Sequence, residues 1–420
     1  MKLKTIITVT IIITIIIQTF FTSSCLAKPK DEYTIVLNGA DDDKVETAED
    51  ENKKIYSESA ILMEKQTGKI LYEKNIYDRK YPASTTKALT AIIALEKCNL
   101  DEVATASEYA VSTVKADYTN ANIKAGESFT IGELLDVMMI VSANEAATII
   151  AEHISGSEAE FAKLMNEKAK EIGCLDSHFV NANGIHDDNH YTTAYDLALI
   201  ARYCIQNEKF REIVSKKTCS LPVTDIYENA IKTEIEQENE KNKNKKKYVP
   251  KKIEDISLER NFRNTNSLLK EDSVYYYPYC IGGKTGYTTP AKNCLISFSD
   301  KDGFETISVI LHAETTDNGL SARYTDTIKL FEFGYNNYTL QEILDEYDSN
   351  YEIQEKEKKY LLPGIITNFG NNTDVDETGI SDAIVMIIAG ITILLFLIIY
   401  YIYKAIKKMK ERKLYSFKIN

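Results

Sequence analysis

The spacing of apolar residues along the chain changes from a strand pattern to a helix pattern. In SESAILMEKQTGKILYEKN (57–75), two β-prone runs flank Gln66-Thr67-Gly68, which predicts a hairpin. From residue 84 to about 215 the apolar residues recur mostly at helical intervals. The longest such run, 131–154, is interrupted near Ser142, so we expect a break between two helical segments there.

Strand patterns return after this helical region. TTAYDLALIARYCIQ (192–206) predicts one more amphipathic helix with a threonine N-cap. The β-prone segments 275–288, 291–300 and 304–314 then predict a turn-connected meander, and 324–338 predicts a closing helix. Strands from both chain ends bracket a helical middle. This pattern indicates an α+β fold, in which an antiparallel sheet is flanked by helices in an α/β sandwich and carries an all-helical subdomain.

The N-terminus has the pattern of a secretory signal peptide. Residues 1–27 begin with two lysines among the first four residues, continue through an apolar run and end on Cys25-Leu26-Ala27. Lipidation of Cys25 is a weaker alternative, because Thr22 stands where an aliphatic residue is expected. Residues 28–54 are rich in charged side chains and predict a flexible acidic leader.

The C-terminus has the pattern of a membrane anchor. The apolar run 383–403 is long enough to span a bilayer and ends in three tyrosines, which favour the interface. The basic tail 404–420 should stay cytoplasmic, so residues 28 to about 380, which include a polar linker at 339–382, are expected outside the cell membrane. A buried core helix is a poor alternative, because the run is too long and a basic block follows it.

Composition narrows the possible functions. The 420 residues carry a net charge of −13, which argues against nucleic acid as a partner. Seven cysteines at this length are no disulfide scaffold. Cys280 and Cys294 flank a predicted hairpin and could pair, although buried free thiols are the simpler interpretation. Residues 228–252 are acidic and then lysine-rich, which predicts a solvated insert; docking on anionic wall polymers is an alternative.

The segment PASTTKALTA (82–91) carries a lysine on an otherwise mostly apolar helix, three residues after a serine. Residues three apart share a helix face, and Pro82 suits a helix entrance, so Ser84 is expected in the first turn. A serine hydroxyl is a weak nucleophile until a base removes its proton, and a lysine of lowered pKa can be that base. Ser84 and Lys87 are therefore a candidate nucleophile and general base, although S-x-x-K alone is common.

Two further triplets make the pair specific. Ser142-Ala143-Asn144 lies at the predicted helix break, and Lys284-Thr285-Gly286 lies in the strand region. S-x-x-K, S-D-N and K-T-G are motifs of penicillin-binding proteins and class A β-lactamases. Each triplet alone is a weak signal, but their order and spacing together are a strong one.

With these motifs the chain resembles the penicillin-recognising serine hydrolases, and more narrowly the low-molecular-mass D-alanyl-D-alanine carboxypeptidases of serine peptidase family S11. The narrower resemblance covers about residues 55–338. It rests on YPASTTKALTA (81–91), VSANEAA (141–147), NANGIHDDNHYTTAYDLALIARY (181–203), RNTNSLL (263–269) and GGKTGYT (282–288). It implies a β-lactamase/transpeptidase-like fold that needs no cofactor.

The resemblance also implies a mechanism. Ser84 attacks the carbonyl between the two terminal D-alanines of a peptidoglycan stem peptide, and Lys87 takes its proton. Lys284 is the second cation that helps keep Lys87 neutral. Ser142 relays a proton toward the leaving amine, and Asn144 positions Lys87 and the substrate amide. Water then hydrolyses the acyl-enzyme, and β-lactams acylate Ser84 as well.

The substrate-binding residues are likewise carried over from the family. Thr285 binds the terminal carboxylate of the substrate, with Arg323 as a weaker candidate for the same task. Gly286 lets the substrate backbone approach the strand edge, where a side chain would obstruct it. The N–H groups of Ser84 and Tyr287 form the oxyanion hole.

The sequence departs from the family pattern in four places. Glu145 follows Asn144, where relatives often have Asp. About 40 residues of linker stand where relatives commonly carry a β-rich domain. The anchor is a full span where many relatives have an amphipathic helix, and the insert at 228–252 is unusual.

Other enzymatic and binding functions have less support from the sequence. A β-lactamase would need an acidic base for its deacylating water, and we find no equivalent. A β-lactam sensor or an idle wall-binding module is a further alternative, but the short basic tail disfavours signalling. His186 and His190 have the spacing of zinc ligands without H-E-x-x-H or an obvious third ligand, so no metal is expected. The absence of G-x-S-x-G excludes the common α/β-hydrolase pattern.

Overall fold

Helices and a five-stranded antiparallel sheet make up the architecture of the computed structural model, which describes residues 54–114, 118–245 and 248–349. The strands are β1 (Ser59–Glu64), β2 (Ile70–Lys74), β3 (Val103–Thr105), β4 (Ser128–Thr130), β5 (Thr218–Leu221), β6 (Arg260–Arg263), β7 (Cys280–Thr288), β8 (Lys292–Lys301) and β9 (Phe304–Ala313). The helices are α1 (Lys87–Lys97), α2 (Glu108–Ser112), α3 (Ile131–Ile140), α4 (Asn144–Ser155), α5 (Glu158–Ile172), α6 (Ala194–Ile205), α7 (Glu208–Ser215), α8 (Asp225–Asn242) and α9 (Ala322–Asn337). Three short 3-10 turns lie at Ala83–Thr86, Ile253–Asp255 and Ser267–Leu269.

The main sheet joins strands from both ends of the described region. Its order is β2-β1-β9-β8-β7, and every neighbouring pair is antiparallel. The pairs β3-β4 and β5-β6 form two small separate sheets. The predicted N-terminal hairpin, the meander and the closing helix are all present, so the predicted α+β fold is confirmed.

Side-chain alternation on β1 explains how the layers hold together. Ile61 and Met63 belong to the core shared with the helical part of the molecule. Leu62 points to the opposite face, where Gly334 of α9 comes so close that a β-carbon on it would lie 2.7 Å from Leu62 Cδ2. Since neighbouring strand residues face opposite sides, β1 is buried on both faces, and all six of its residues are buried.

The helical part is built around α1, whose residues from Lys87 to Ala94 are all buried. A helix that is apolar nearly all round must lie inside the protein, and α1 contacts α3, α4, α5 and α6. Thr130 and Glu133 form a capping box at the start of α3. The predicted break near Ser142 is present as the junction of α3 and α4, and the predicted threonine cap of α6 is Thr193.

The structure corrects several local predictions. The first residues of the predicted strand segment 275–288, which include three tyrosines, precede β7, and Tyr277 stacks on Phe331 of α9. The cysteines of the described residues are free, which agrees with the simpler of the two interpretations. The alternative pair Cys280 and Cys294 occupies different positions of the hairpin, since Cys280 lies opposite Ser299 and Cys294 lies opposite Gly286.

The charged insert contains a regular helix, since α8 covers 225–242, and Ile235 is its one buried residue. Part of the expected linker is helical as well, at 340–349. Glu and Lys are good helix formers, so a charged composition does not by itself mean a loop.

The predicted signal peptide, the membrane span at 383–403 and the basic tail lie outside the described residues. Within the described ranges, no helix combines the length and apolar character needed to cross a bilayer.

Candidate active site

Ser84 lies in a strained turn directly before α1. The segment Ala83–Thr86 forms a 3-10 turn, so α1 begins at Lys87 and not at Ser84 as expected. Ala83 has a φ of +49°, which a residue with a side chain rarely adopts. Surrounding structure must hold such a conformation, and strained backbone is frequent at functional sites. The turn leaves Ser84 half-buried beside the first residue of the helix.

Lys87 is fully buried and makes three hydrogen bonds. Its Nζ lies 3.0 Å from Ser84 Oγ and donates to Asn144 Oδ1 at 2.7 Å and to the backbone carbonyl of Asn183. Burial, followed by the charge of Lys284, holds the pKa of Lys87 well below its ordinary value, against the opposing effect of Glu145. The structure thus brings the predicted nucleophile and base into hydrogen-bonding distance.

Ser142 and Asn144 occupy the junction between α3 and α4. Ser142 is buried and has a φ of +72°, so, like Ala83, it is a non-glycine residue with a left-handed backbone conformation. The side-chain amide of Asn144 donates to Thr119 O at 2.9 Å while its oxygen accepts from Lys87. These two hydrogen bonds fix the orientation of the Asn144 side-chain amide, with its oxygen facing Lys87.

The third predicted triplet lies on the edge strand β7, next to the serine turn. Lys284 is buried and donates to Thr285 O at 2.8 Å. Burial and then the charge of Arg323 lower the pKa of Lys284 to about 7. The hydroxyl of Thr285 lies 2.7 Å from that of Thr265. Thr265 belongs to the family segment RNTNSLL (263–269), and the sequence did not predict a role for it.

The packing of β7 against the serine turn gives a second reason for a glycine at position 286, besides the approach of substrate that the family resemblance implies. A β-carbon on Gly286 would lie 3.1 Å from Pro82 O, from Ser84 N and from Thr85 N. The backbone of β7 therefore packs directly against the serine turn, and any larger residue would push the two apart. This contact also places the Ser84 nitrogen on the side of β7.

Arg323 and Tyr287 complete the predicted set. Arg323, in the first turn of α9, donates from Nη1 to Gly286 O at 3.3 Å, while its buried Nε has no hydrogen-bond partner. Tyr287 follows Gly286 on β7, and its side chain is exposed at the rim. Lys284 and Arg323 thus place positive charge beside β7, which suits an anionic ligand.

Two residues of the segment 181–203, Asn183 and His190, make contacts at the serine centre that the sequence did not predict. Asn183 supplies the carbonyl that accepts from Lys87. The two histidines with zinc-like spacing have different surroundings: His190 is buried with its Nε2 2.9 Å from Thr86 Oγ1, whereas His186 packs on Tyr81. A carbonyl acceptor has no side-chain signature, so no sequence motif could have assigned the role of Asn183.

Glu145, the departure from the family pattern, holds the loop that passes behind Asn144. Its Oε1 accepts from Ala121 N at 2.6 Å and from Ile123 N at 3.4 Å, and its buried Oε2 has no partner. Burial raises the pKa of this carboxyl. The longer Glu side chain is thus used as a backbone anchor.

One group of side chains with metal-ligating chemistry occurs among the described residues. Ligand atoms of Cys98, Glu102 and His153 lie within 4.8 Å of one another. Cys98 is at the end of α1 far from Lys87, and His153 is at the end of α4 far from Asn144. The group is therefore separate from the serine centre.

Comparison with known proteins agrees with this geometry. The family model for D-alanyl-D-alanine carboxypeptidase (peptidase S11) matches residues 44–249 and 223–315. D-alanyl-D-alanine carboxypeptidase DacF of Bacillus subtilis is 32% identical over 284 residues, which cover 67% of this chain and 63% of the relative. DacB2 of Mycobacterium tuberculosis is 26% identical over 277 residues, covering 66% and 81% of the two chains. The match thus spans slightly less than two thirds of the Bacillus protein.

Solved structures give the same fold. The Streptomyces K15 DD-transpeptidase superposes with a TM-score of 0.54 at 26% identity, over 67% of this chain and 98% of its own. A D-alanyl-D-alanine carboxypeptidase of Mycobacterium tuberculosis superposes with a TM-score of 0.56 at 23% identity, over 68% and 94%. The fold is that of the penicillin-binding serine peptidases. The chain belongs to the D-alanyl-D-alanine carboxypeptidase family, as its motifs predicted.

Proposed function

We propose that this protein is a serine-type D-alanyl-D-alanine carboxypeptidase that removes the terminal D-alanine from peptidoglycan stem peptides. The observation that carries the proposal is the position of the fully buried Lys87 Nζ, 3.0 Å from Ser84 Oγ and 2.7 Å from Asn144 Oδ1. Family membership supports the same activity.

The hydrogen bonds of Lys87 explain how it can act as a base. A neutral amine has two N–H donors and one lone pair. Asn144 Oδ1 and Asn183 O only accept, so they take the two donors. The lone pair is then left for the one partner that can donate, the hydroxyl of Ser84. When Lys87 is neutral, its lone pair therefore faces the hydroxyl of Ser84 and can accept its proton.

The reaction has two steps, acylation of Ser84 and hydrolysis of the acyl-enzyme. Ser84 Oγ adds to the carbonyl of the penultimate D-alanine as its proton moves to Lys87. The C–N bond then breaks, the leaving amine takes a proton by way of Ser142, and free D-alanine departs. Water attacks the resulting ester, and Ser84 recovers its proton. The N–H groups of Ser84 and Tyr287 stabilise the oxyanion in both steps.

The charge of the site supports the choice of substrate. A peptide ending in D-alanine carries a terminal carboxylate, and the cluster of Lys284, Thr285 and Arg323 offers cations and a hydroxyl to it. β-Lactams present a carboxylate beside a strained amide, so they should enter the same site and acylate Ser84.

Release of D-alanine tests the proposal directly. The purified protein is incubated with a peptide ending in Lys-D-Ala-D-Ala, and free D-alanine is measured beside the Ser84→Ala variant. We expect release by the wild type and none by the variant. A variant that releases D-alanine equally well would rule out Ser84 as the nucleophile. Mass spectrometry after adding penicillin separates the alternatives, since a long-lived adduct supports a carboxypeptidase and rapid turnover a β-lactamase.

We further propose that the catalytic part lies on the outer side of the cell membrane, held by the apolar segment 383–403 with the basic tail in the cytoplasm. The charge asymmetry around that segment supports this orientation. A protease added to intact spheroplasts should digest the catalytic part and spare an epitope at the C-terminus. Digestion of that epitope without permeabilisation would contradict the proposal.

A further inference from the structure

His190 is buried behind the serine turn and contacts it through one hydroxyl. The side chain is 2% exposed and packs edge-on against Phe179. Its Nε2 lies 2.9 Å from Thr86 Oγ1, and Val180 N donates to its Nδ1 at 3.2 Å. The reaction described above does not use this residue.

These contacts fix which ring nitrogen carries the proton. The backbone N–H of Val180 can only donate, so Nδ1 must be the acceptor, and the proton of a neutral ring is on Nε2. Burial supports the neutral form, because it lowers the pKa of His190 to about 3. His190 therefore donates to the hydroxyl of Thr86 and accepts nothing from it.

The direction of this bond continues into the serine turn. Because its oxygen accepts from His190, the Thr86 hydroxyl keeps its single proton for the Ala83 carbonyl, 2.8 Å away. The Ala83–Ser84 peptide is trans, so its N–H points opposite to its carbonyl. Holding the oxygen of Ala83 therefore sets the direction of the Ser84 N–H.

Two glycines lie on either side of this peptide unit. A β-carbon on Gly184 would lie 2.0 Å from Ala83 O, and one on Gly286 would lie 3.1 Å from Ser84 N. The carbonyl thus points to the Gly184 loop and the nitrogen faces β7. In this orientation the Ser84 N–H is directed to the place where the scissile carbonyl must lie.

We propose that His190 is a positioning residue that acts through Thr86 and the Ala83 carbonyl to aim the Ser84 N–H into the oxyanion hole. It holds a peptide whose first residue has the unfavourable φ of +49°, a conformation that would otherwise tend to relax. The inference rests on the proposed acylation of Ser84, and it assigns the residue a role in the transition state and none in substrate binding.

The test compares matched variants of the full-length protein by their rate of acylation with a fluorescent penicillin. His190→Ala removes the hydrogen bond to the Thr86 hydroxyl, and Thr86→Val removes that bond together with the one to Ala83 O. Each should slow acylation about tenfold or more, since loss of one oxyanion donor costs about 10² to 10³ in rate. His190→Gln, which keeps a donor near the Nε2 position, and Thr86→Ser, which keeps the hydroxyl, should each recover most of the rate. His178→Gln is the control, because the exposed side chain of His178 hydrogen-bonds Asn189 O and does not contact the serine turn.

A second readout separates positioning from simple structural damage. A peptide boronic acid forms a tetrahedral adduct with the serine, so its affinity depends strongly on the oxyanion hole. The reaction product, a peptide ending in one D-alanine, has a planar carboxylate and no tetrahedral oxyanion, so its affinity depends on the hole much less. We expect His190→Ala and Thr86→Val to weaken boronate affinity at least tenfold and product affinity by a much smaller factor. The inference is overturned if the two variants bind boronate and react with penicillin like the wild type. It is also overturned if their affinities for boronate and for the product fall by the same factor. A wild type that penicillin does not acylate would instead contradict the proposed function.

Discussion

At the residue scale, the site depends on lysines that have been made weak bases by their surroundings. Lys87 and Lys284 are both fully buried, and in each case loss of water is the largest cause of the lowered pKa, with a neighbouring cation second. A lysine in water would be protonated at neutral pH and could not accept a proton from Ser84. The chemistry therefore depends on where α1 and β7 bury these side chains.

The pH dependence of acylation follows from these shifts. The rate should rise with pH as Lys87 loses its proton and fall again as Lys284, whose pKa is about 7, loses its charge. In Lys284→Gln the neighbouring cation is gone, so the pKa of Lys87 rises. The acid limb of the profile should therefore move to higher pH and the alkaline limb should disappear. An acid limb that stays in place would contradict this account, and exposed Lys217→Gln serves as the control.

At the element scale, the serine turn is clamped between β7 and the loop 181–184. Two hydrogen bonds join that loop to α1, because Lys87 donates to Asn183 O and Thr90 donates to Ala182 O at 2.6 Å. Further along the chain, His190 donates to the hydroxyl of Thr86 in the turn. Close contacts at Gly184 and Gly286 leave no room between the elements. The geometry of the nucleophile thus depends on three elements far apart in sequence.

The clamp predicts an unusual sensitivity to a single methyl group. Gly184→Ala would place a β-carbon 2.0 Å from Ala83 O at a φ of +82°. It should lower the free energy of unfolding by about 3 kcal/mol or more and abolish penicillin acylation. Gly156→Ala, at a φ of +75° with nothing within 4 Å, should cost only about 1 kcal/mol of backbone strain and stay active. Urea denaturation measures both, and equal effects would contradict the clamp.

A buried ion pair anchors the loop behind the active site. Arg260 of β6 pairs with Glu127 at 2.9 Å and donates to Ala121 O at 3.2 Å, and the side chains of both charged residues are almost completely buried. Arg260→Met leaves the Glu127 carboxylate buried without its cation and should destabilise the fold by about 3–5 kcal/mol. The exposed pair of Arg263 and Asp272 offers the matched control, since Arg263→Met should change stability by about 1 kcal/mol at most. Chemical denaturation distinguishes the two.

At the scale of the whole molecule, the sheet is assembled from distant parts of the chain around β1. This strand lies between β2 and β9, so residues 59–64 pair with residues 306–311 across the whole helical region. The helical part is therefore an insertion between two halves of one sheet. The active site forms where the insertion meets the sheet, with Ser84, Lys87 and Asn144 on the helical side and Lys284 on β7.

The molecule achieves this without covalent cross-links in the described residues. All six cysteines there are free, and burial raises the pKa of thiols such as Cys204 and Cys294, which keeps them unreactive. The thermal unfolding midpoint should therefore be the same with and without reductant, and these six thiols should react with iodoacetamide once the protein is denatured without reductant. A fall in the midpoint on reduction would reveal a disulfide and contradict this arrangement.

The sequence by itself determined which chemistry the protein carries and which elements it forms. The periodicity of apolar residues predicted the hairpin, the helix break and the meander. The ordered motifs around Ser84, Ser142 and Lys284 identified the family, because residue types and their spacing can be read directly from the sequence. It could not give the 3-10 turn at Ser84, the carbonyl of Asn183 or the buried position of His190. These depend on backbone groups and on contacts between elements remote in sequence, and only the tertiary structure decides which backbone atoms meet and which side chains lose their water.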